Sequence, residues 1–308
     1  MSFVRAHRVV AAATVLAALL IALIATGGPA AAATEHQIGT FNMGGGHADH
    51  GTKGDEAPDA LVASILDRRP AFVALQEACR DWTERLGSRL PGYTVVFDPV
   101  SDGSGATPDC RHPSEFGNAI VYRDDFGVDG GPVAHSLGSP AGLEQREMLC
   151  VTASSRATVL CSAHLSSGGD DTAVGARASE AGAVRSILEQ TYPGLTVLLG
   201  GDFNAEPDDD ELDALYHDGY GRGATGTLKE VDSPCGDDLD ERGGFPLFPV
   251  CRAGEDTIDD WDFGEEGSPL GAKLDYIFVT PSVEVIDADA TFGIHSDHDP
   301  LWADILLP

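Results

Sequence analysis

Short apolar runs that end in a polar side chain recur along this chain and alternate with helix-like stretches. Strand-like runs are expected at Gln37–Met43, Ala71–Gln76, Tyr93–Phe97, Asn118–Tyr122, Met148–Ala153, Thr158–His164, Leu195–Gly200, Leu274–Val279, Val283–Ile286 and Leu301–Leu306. Helices are expected at Asp59–Arg69, Cys79–Leu90, Thr172–Gln190 and, in shorter form, near Asp210–Tyr216. In the third of these, Val174, Ala178, Ala181, Val184, Ile187 and Leu188 repeat with helical period. Hairpin-like and βα units occur in one chain with no internal repeat and no Pro- or Ser-rich linker. That mixture implies stacked sheets with helices outside, an α/β sandwich rather than a single doubly wound sheet.

The first 33 residues read as a signal peptide rather than as fold, leaving residues 34–308 as one domain. Arg5 and Arg8 precede the apolar run Val9–Ala25, Gly27, Gly28 and Pro29 break it, and Ala30–Ala33 offers a small-residue cleavage site. An uncleaved anchor is the competing reading, and the break argues against it. Six cysteines in an exported chain favour disulfides, and no CxxC pair suggests structural zinc. Fifteen pairings are possible; the nearest-neighbour set Cys79–Cys110, Cys150–Cys161 and Cys235–Cys251 is preferred. Its middle pair is the best argued, because two strand-like runs around Ser154-Ser155-Arg156 put Cys150 and Cys161 opposite each other in a hairpin. A secreted, extracellular protein is expected.

A formal charge of −31 excludes a basic nucleic-acid coat or a polybasic membrane-surface binder. A phosphate-bearing substrate must then be held by a local feature, expected to be a metal ion. Polar residues at the run ends supply one: Asn42, Glu77, His164, Asp202, Asn204, Asp275, Asp297 and His298. Strand ends are where side chains converge without disturbing a core. Carboxylates and carboxamides with few nitrogens suit Mg²⁺ or Mn²⁺, with Ca²⁺ possible, rather than zinc. Strand parity puts Cys161 and His164 on opposite faces, so one can bridge a neighbouring strand while the other faces a cleft. Two long loops, Asp98–Glu115 and the acidic Asp218–Gly271, are expected over the substrate face. His47, Asp49 and His50 are read as a polar loop beside the site, and 256–262 as a solvated acidic loop without EF-hand spacing.

Six of these motifs, in order, resemble the metal-dependent endonuclease/exonuclease/phosphatase superfamily: ThrPheAsn (40–42), GlnGlu (76–77), AlaHisLeu (163–165), GlyAspPheAsn (201–204), LeuAspTyrIlePhe (274–278) and SerAspHis (296–298). The superfamily includes pancreatic-type deoxyribonuclease, abasic-site endonucleases, secreted sphingomyelinases and inositol-polyphosphate phosphatases. The resemblance implies a four-layer α/β sandwich, two packed mixed β-sheets flanked by helices. It also implies roles. Glu77 binds the divalent metal, supported by Asn42 and with Asp297 close to the same ion. His298 is the general base, with Asp275 fixing its tautomer. Asp202 positions the water or a second metal, Asn204 holds the phosphate, and His164 donates to it. Arg146 matches an arginine that contacts substrate phosphate. Asn118 matches a GlyAsn position where some nucleases carry a glutamate paired with the first histidine, a part Glu115 could take instead.

The resemblance favours a secreted endonuclease cleaving DNA or RNA, with no stable protein partner. A sphingomyelinase-like phospholipid phosphodiesterase is the alternative, motivated by the apolar run at 243–250 with Phe245 and Phe248, the one segment expected to touch a membrane. A catalytically silent binding module of the same fold is the third reading, disfavoured by the retained pair Asp275 and His298.

Overall fold

Two pairs of parallel strands organise the molecule, and each needs a crossover to bring the chain back to the same end. The computed structural model describes residues 33–49, 51, 54, 56–138, 144–236, 251–258, 271–292 and 295–307. The proposed leader up to residue 32, His50, the 243–250 run and the later part of the 256–262 run lie outside them. β1 (Thr34–Asn42) and β2 (Phe72–Cys79) pair in parallel and are joined by α1 (Glu56–Arg68). β7 (Thr158–His164) and β8 (Thr196–Asp202) do the same through α3 (Asp171–Thr191). Asp170 caps α3, its carboxylate accepting from the Thr172 and Ala173 N–H groups.

Antiparallel neighbours complete each sheet. The first runs β11-β12-β1-β2-β4-β3, with α2 (Arg80–Arg89), β3 (Tyr93–Pro99), β4 (Phe116–Arg123), β11 (Glu284–Ala290) and β12 (Leu301–Leu307). The second runs β5-β6-β7-β8-β10-β9, adding β5 (Val133–Gly138), β6 (Arg146–Ala153), β9 (Lys229–Glu230) and β10 (Asp275–Val279). Residues from Ala33 onward cluster as one unit.

Strand alternation builds three apolar layers. Leu61, Ile65, Trp82 and Leu86 of α1 and α2 pack on Val73, Leu75 and Val121 outside the first sheet. Ala181, Val184 and Leu188 of α3 pack on Cys161, Leu199 and Phe278 outside the second. Between the sheets lie Ile38, Phe72, Ala74, Ile120, Leu149, Leu160, Leu198 and Ile277. The fold is therefore the helix–sheet–sheet–helix sandwich.

Toward the end where β1, β2, β7 and β8 finish, the inter-sheet layer turns polar. Thr40 Oγ1 donates to Gln76 Oε1 (3.3 Å), Gln76 Nε2 to Ser162 Oγ (2.9 Å), and Ser162 Oγ to the Leu75 carbonyl (2.9 Å). The sheets approach so closely here that a Cβ on Gly200 would sit 2.7 Å from Ala74 Cβ and 2.9 Å from Thr40 Cβ.

Three disulfides join Cys79 to Cys110, Cys150 to Cys161 and Cys235 to Cys251. The second links direct register partners of the β6–β7 hairpin. Among the described residues no helix is long and apolar enough to cross a membrane.

The structure corrects several expectations. The helix near Asp210–Tyr216 is only a 3-10 turn, Asp210–Leu212, because Tyr216 and His217 are drawn into bridges with Leu228 and Gly226. β5 and β9 carry no strand signal. β5 is an exposed edge recruited by β6, and β9 is two residues long. β2 runs on to Cys79, where the sequence suggested a helix start, so α2 begins at Arg80.

Gly200→Ala should lower the unfolding free energy by about 1–3 kcal/mol in urea, since the added methyl is driven into the facing sheet. Gly175→Ala, on an exposed turn of α3 where a Cβ meets nothing within 4 Å, should instead raise it by up to about 1 kcal/mol.

Candidate active site

Each polar end residue sits where its strand runs out, at one pole of the sandwich. Asn42 closes β1, His164 closes β7 and Asp202 closes β8, with His164 and Asp202 in parallel register. Asp275 opens β10 directly opposite Asp202. Glu77 lies in β2 where the pairing with β4 slips between Leu75 and Ala78. Its φ of +48° turns it out of the alternation that sends Gln76 between the sheets. The Gly46 N–H donates to Glu77 Oε2 at 2.8 Å.

His298 arrives from the loop before β12. Ser296 Oγ donates to the Asn42 carbonyl (2.8 Å) and accepts from the His298 N–H (3.2 Å), tying that loop to the end of β1. Thr257 Oγ1 accepts from the Leu274 and Asp275 N–H groups (3.0 Å each), and the Thr257 carbonyl accepts from the Asp299 N–H (2.7 Å). Neither Ser296 nor Thr257 was singled out from sequence as a site residue, because both act on backbone groups that only the fold brings near.

Asp202 Oδ2 is the hub. Asn42 Nδ2 donates to it at 2.9 Å, His164 Nε2 lies 3.6 Å away and His298 Nε2 3.8 Å away. Asp202 Oδ1 accepts from the Asn204 N–H (2.9 Å), held there by the left-handed φ of +50° at Asn204, and Asn204 Nδ2 donates to the Leu165 carbonyl (3.2 Å). His298 Nδ1 donates to Asp275 Oδ2 at 2.7 Å. A carboxylate oxygen only accepts, so the proton sits on Nδ1.

Burial would pull His298 down, but the Asp275 and Asp202 carboxylates outweigh it and push its pKa up to about 10. Burial raises Asp202 to about 7 against the pull of the His298 imidazolium. His164 goes the other way. Burial, then Arg146, then His298 hold it well below the usual histidine range, so it is neutral. The obligate donor Arg146 Nη1 lies 3.2 Å from His164 Nδ1, which must accept; Nε2 therefore carries the proton.

Arg146 is buried and also donates to Glu144 at 2.8 Å. Asn118 is buried, and its Nδ2 donates to Glu147 Oε1 at 3.3 Å. The suggestion that Glu115 pairs with His164 is overturned: Glu115 is tied to Arg80. The carboxylate within reach of His164 is Asp202, 3.6 Å from Nε2, while Glu147 is its register partner on β6 and binds Asn118. His47 of the 44–50 loop reaches Asp297, with Nε2 3.8 Å from the carboxylate.

Asn42 reaches this pole through its bond to Asp202, and one ligand atom each of Asp202, Asp275 and His298 lie within 4.8 Å of one another. Asp275 Oδ1 is buried with no partner in the protein. That surplus of acceptors fits a Mg²⁺-like cation.

A family model described as the Endonuclease/Exonuclease/phosphatase family matches residues 39–298. No curated protein matches in sequence. Among solved structures, an endonuclease/exonuclease/phosphatase from Bacteroides vulgatus is similar at 18% identity, with TM-score 0.62 over 89% of this chain and 100% of that one. A mannosyl-6-phosphatase of Bacteroides thetaiotaomicron is similar at 18%, with TM-score 0.60 over 88% and 99%. Danio rerio TDP2 in complex with single-strand DNA product is similar at 16%, with TM-score 0.59 over 88% and 99%.

In metal-free protein, Asp275→Asn should lower the His298 pKa by more than about one unit, read from imidazole NMR shifts. The raised value means that His298 stabilises the fold fully below 6.5, and that this is lost as pH rises through about 10. The variant should lack most of that alkaline loss. An unchanged titration would mean that the carboxylate is not what holds the proton.

Proposed function

The chain belongs to the endonuclease/exonuclease/phosphatase family, and on that premise we propose that it is an exported, divalent-metal-dependent phosphodiester hydrolase whose substrate is nucleic acid. The observation that carries this reading is the 2.7 Å His298–Asp275 bond, with His298 and His164 both converging on Asp202.

In the proposed reaction His298 Nε2 takes the proton of an attacking water held at Asp202 as the water oxygen bonds to phosphorus. The bond to the leaving oxygen breaks in the same step, and that oxygen takes its proton from solvent. Asp275 keeps the tautomer correct and stabilises the imidazolium that forms. Opposite the water, His164 donates Nε2–H to a phosphoryl oxygen; its neutrality suits it to hydrogen-bond donation rather than to giving up a proton. Arg146 adds positive charge beside it, and Asn118 and Asn204 border the phosphate. Held by Asn42, Glu77 and Asp297, a divalent cation would offset the phosphate charge and lower the His298 pKa into the range where it can act as a base. Water attack with charge neutralised on the equatorial oxygens is what phosphoester cleavage requires.

The DNA-product complex of the TDP2 neighbour supports the nucleic-acid reading. With a chain charge of −31, binding to a polyanion should be weak and dependent on salt. The phospholipid alternative rested on 243–250, outside the described residues, and no described feature favours it. The mannosyl-6-phosphatase neighbour makes small phosphate esters a necessary control. Export is supported by the apolar leader of the sequence and by three disulfides, which persist in oxidising compartments.

Plasmid DNA, RNA, bis(p-nitrophenyl) phosphate, mannose 6-phosphate and sphingomyelin vesicles should be assayed with Mg²⁺ or Mn²⁺ and with EDTA. Nucleic-acid cleavage that EDTA abolishes is expected, and His298→Ala should cost about 10²–10⁴-fold in kcat. Glu77→Gln should raise the metal concentration needed for half-maximal rate. Turnover confined to mannose 6-phosphate or sphingomyelin would replace the substrate; wild-type inertness on all five would remove the enzyme.

A further inference from the structure

Two acids from different sheets meet at Asn118, and the proposed reaction uses neither. Asp98 of β3 pairs in register with Asn118 of β4, and Glu147 of β6 with His164 of β7. Their faces follow from their neighbours, because Ile120, Leu149, Val151 and Leu160, each two or four residues away along its strand, belong to the inter-sheet core. All four polar side chains therefore project into the space between the sheets, at its catalytic end. Glu147 is 8% exposed and Asp98 half-buried.

Asn118, the register partner of Asp98, donates to Glu147 Oε1 at 3.3 Å, which brings the two carboxyls onto one face toward each other. Two ionised carboxylates offer only acceptors, so a hydrogen bond between them requires a proton held in common. Burial, followed by the Asp98 charge, lifts Glu147 to about 8, and burial raises Asp98 as well. The other charges facing the pair do not remove the need for that proton. Arg80 of α2 acts on Asp98 alone, Glu144 ahead of β6 adds negative charge on Glu147, and His164 across the register is neutral.

We propose that Asp98 and Glu147 share one proton and clasp the two sheets together, positioning Asn118 and the Arg146–His164 contact at the edge of the phosphate site. The clasp fixes where β6 begins relative to β4, and Arg146 is the residue next to Glu147. The positioning role rests on the phosphodiesterase reading; the shared proton does not.

A carboxamide tests both parts, because its NH₂ donates to the remaining carboxylate at every pH. In wild-type protein the clasp's stabilisation is complete below the ordinary glutamate value of 4.5 and is lost as pH rises through about 8. Urea midpoints in EDTA should therefore fall for wild type relative to Glu147→Gln between about pH 5 and about pH 8.5. Midpoints that move in parallel would overturn the shared proton. With Mg²⁺ and bis(p-nitrophenyl) phosphate, the ratio of kcat/KM for Glu147→Gln over wild type should rise at least about threefold between about pH 7 and about pH 9.5. A flat ratio would overturn the positioning role. Asp98→Asn should reproduce both results and decides the question if Glu147→Gln fails to fold. Should no phosphate ester be turned over by wild type, the hydrolase reading fails, while the urea comparison still decides the proton.

Discussion

The catalytic pole depends on how closely the two sheets approach. Asn42 belongs to one sheet and Asp202 to the other, yet their side chains meet at 2.9 Å. Across the usual sheet spacing of about 10 Å, two short facing side chains can meet in this way only where no large side chain lies between them. Gly200 supplies the absence, and Gln76 and Ser162 fill the gap with hydrogen bonds rather than hydrocarbon. Farther from the pole the same interface holds Phe72, Leu198 and Ile277 and is ordinary apolar packing. A gradient from apolar to polar along one interface thus converts a stabilising core into a site.

Bringing the sheets together there buries charge, which is costly unless every charge has a partner. His298 lies near Asp275 and Asp202, and its imidazolium offsets both carboxylates. Arg146 instead turns its Nη1 to Glu144 and His164. The acceptors left over, Asp275 Oδ1 among them, make the metal-free arrangement electrostatically incomplete. The proposed cation site would therefore be a consequence of how the acids are buried.

Most of this was legible because strand ends punctuate an alternating pattern. Parity separated Cys161 from His164 correctly: Cys161 packs under α3 while His164 faces Asp202. Counting outward from the Cys150–Cys161 pair would also have put Glu147 opposite His164, a signal present in the hairpin but passed over in favour of Glu115. Other features had no local signal. β5 is exposed along most of its length without an alternating apolar pattern facing a core, and exists because β6 offers it an edge. Thr257 sits in a run that reads as acidic loop, and its importance lies in two backbone amides reached through the fold. Tyr216 continues a helix-like pattern, yet bridging to Leu228 and a hydrogen bond to Glu230 hold it elsewhere.

The net charge of −31 and the proposed phosphate site are reconciled by the same geometry. Exposed acids on the surface are screened within about 8 Å at physiological salt, so they act mainly on approach. Groups within the pole interact through a less polarisable medium, where one cation or one shared proton changes the local balance far more than distant surface charge does. An acidic exterior keeps the protein soluble and slows polyanions on arrival. It would have less influence on a phosphate held, as proposed, beside His164 and Arg146. Selection for a high negative surface charge can therefore proceed with little cost to the chemistry, provided that the few residues between the sheets keep their own charges matched.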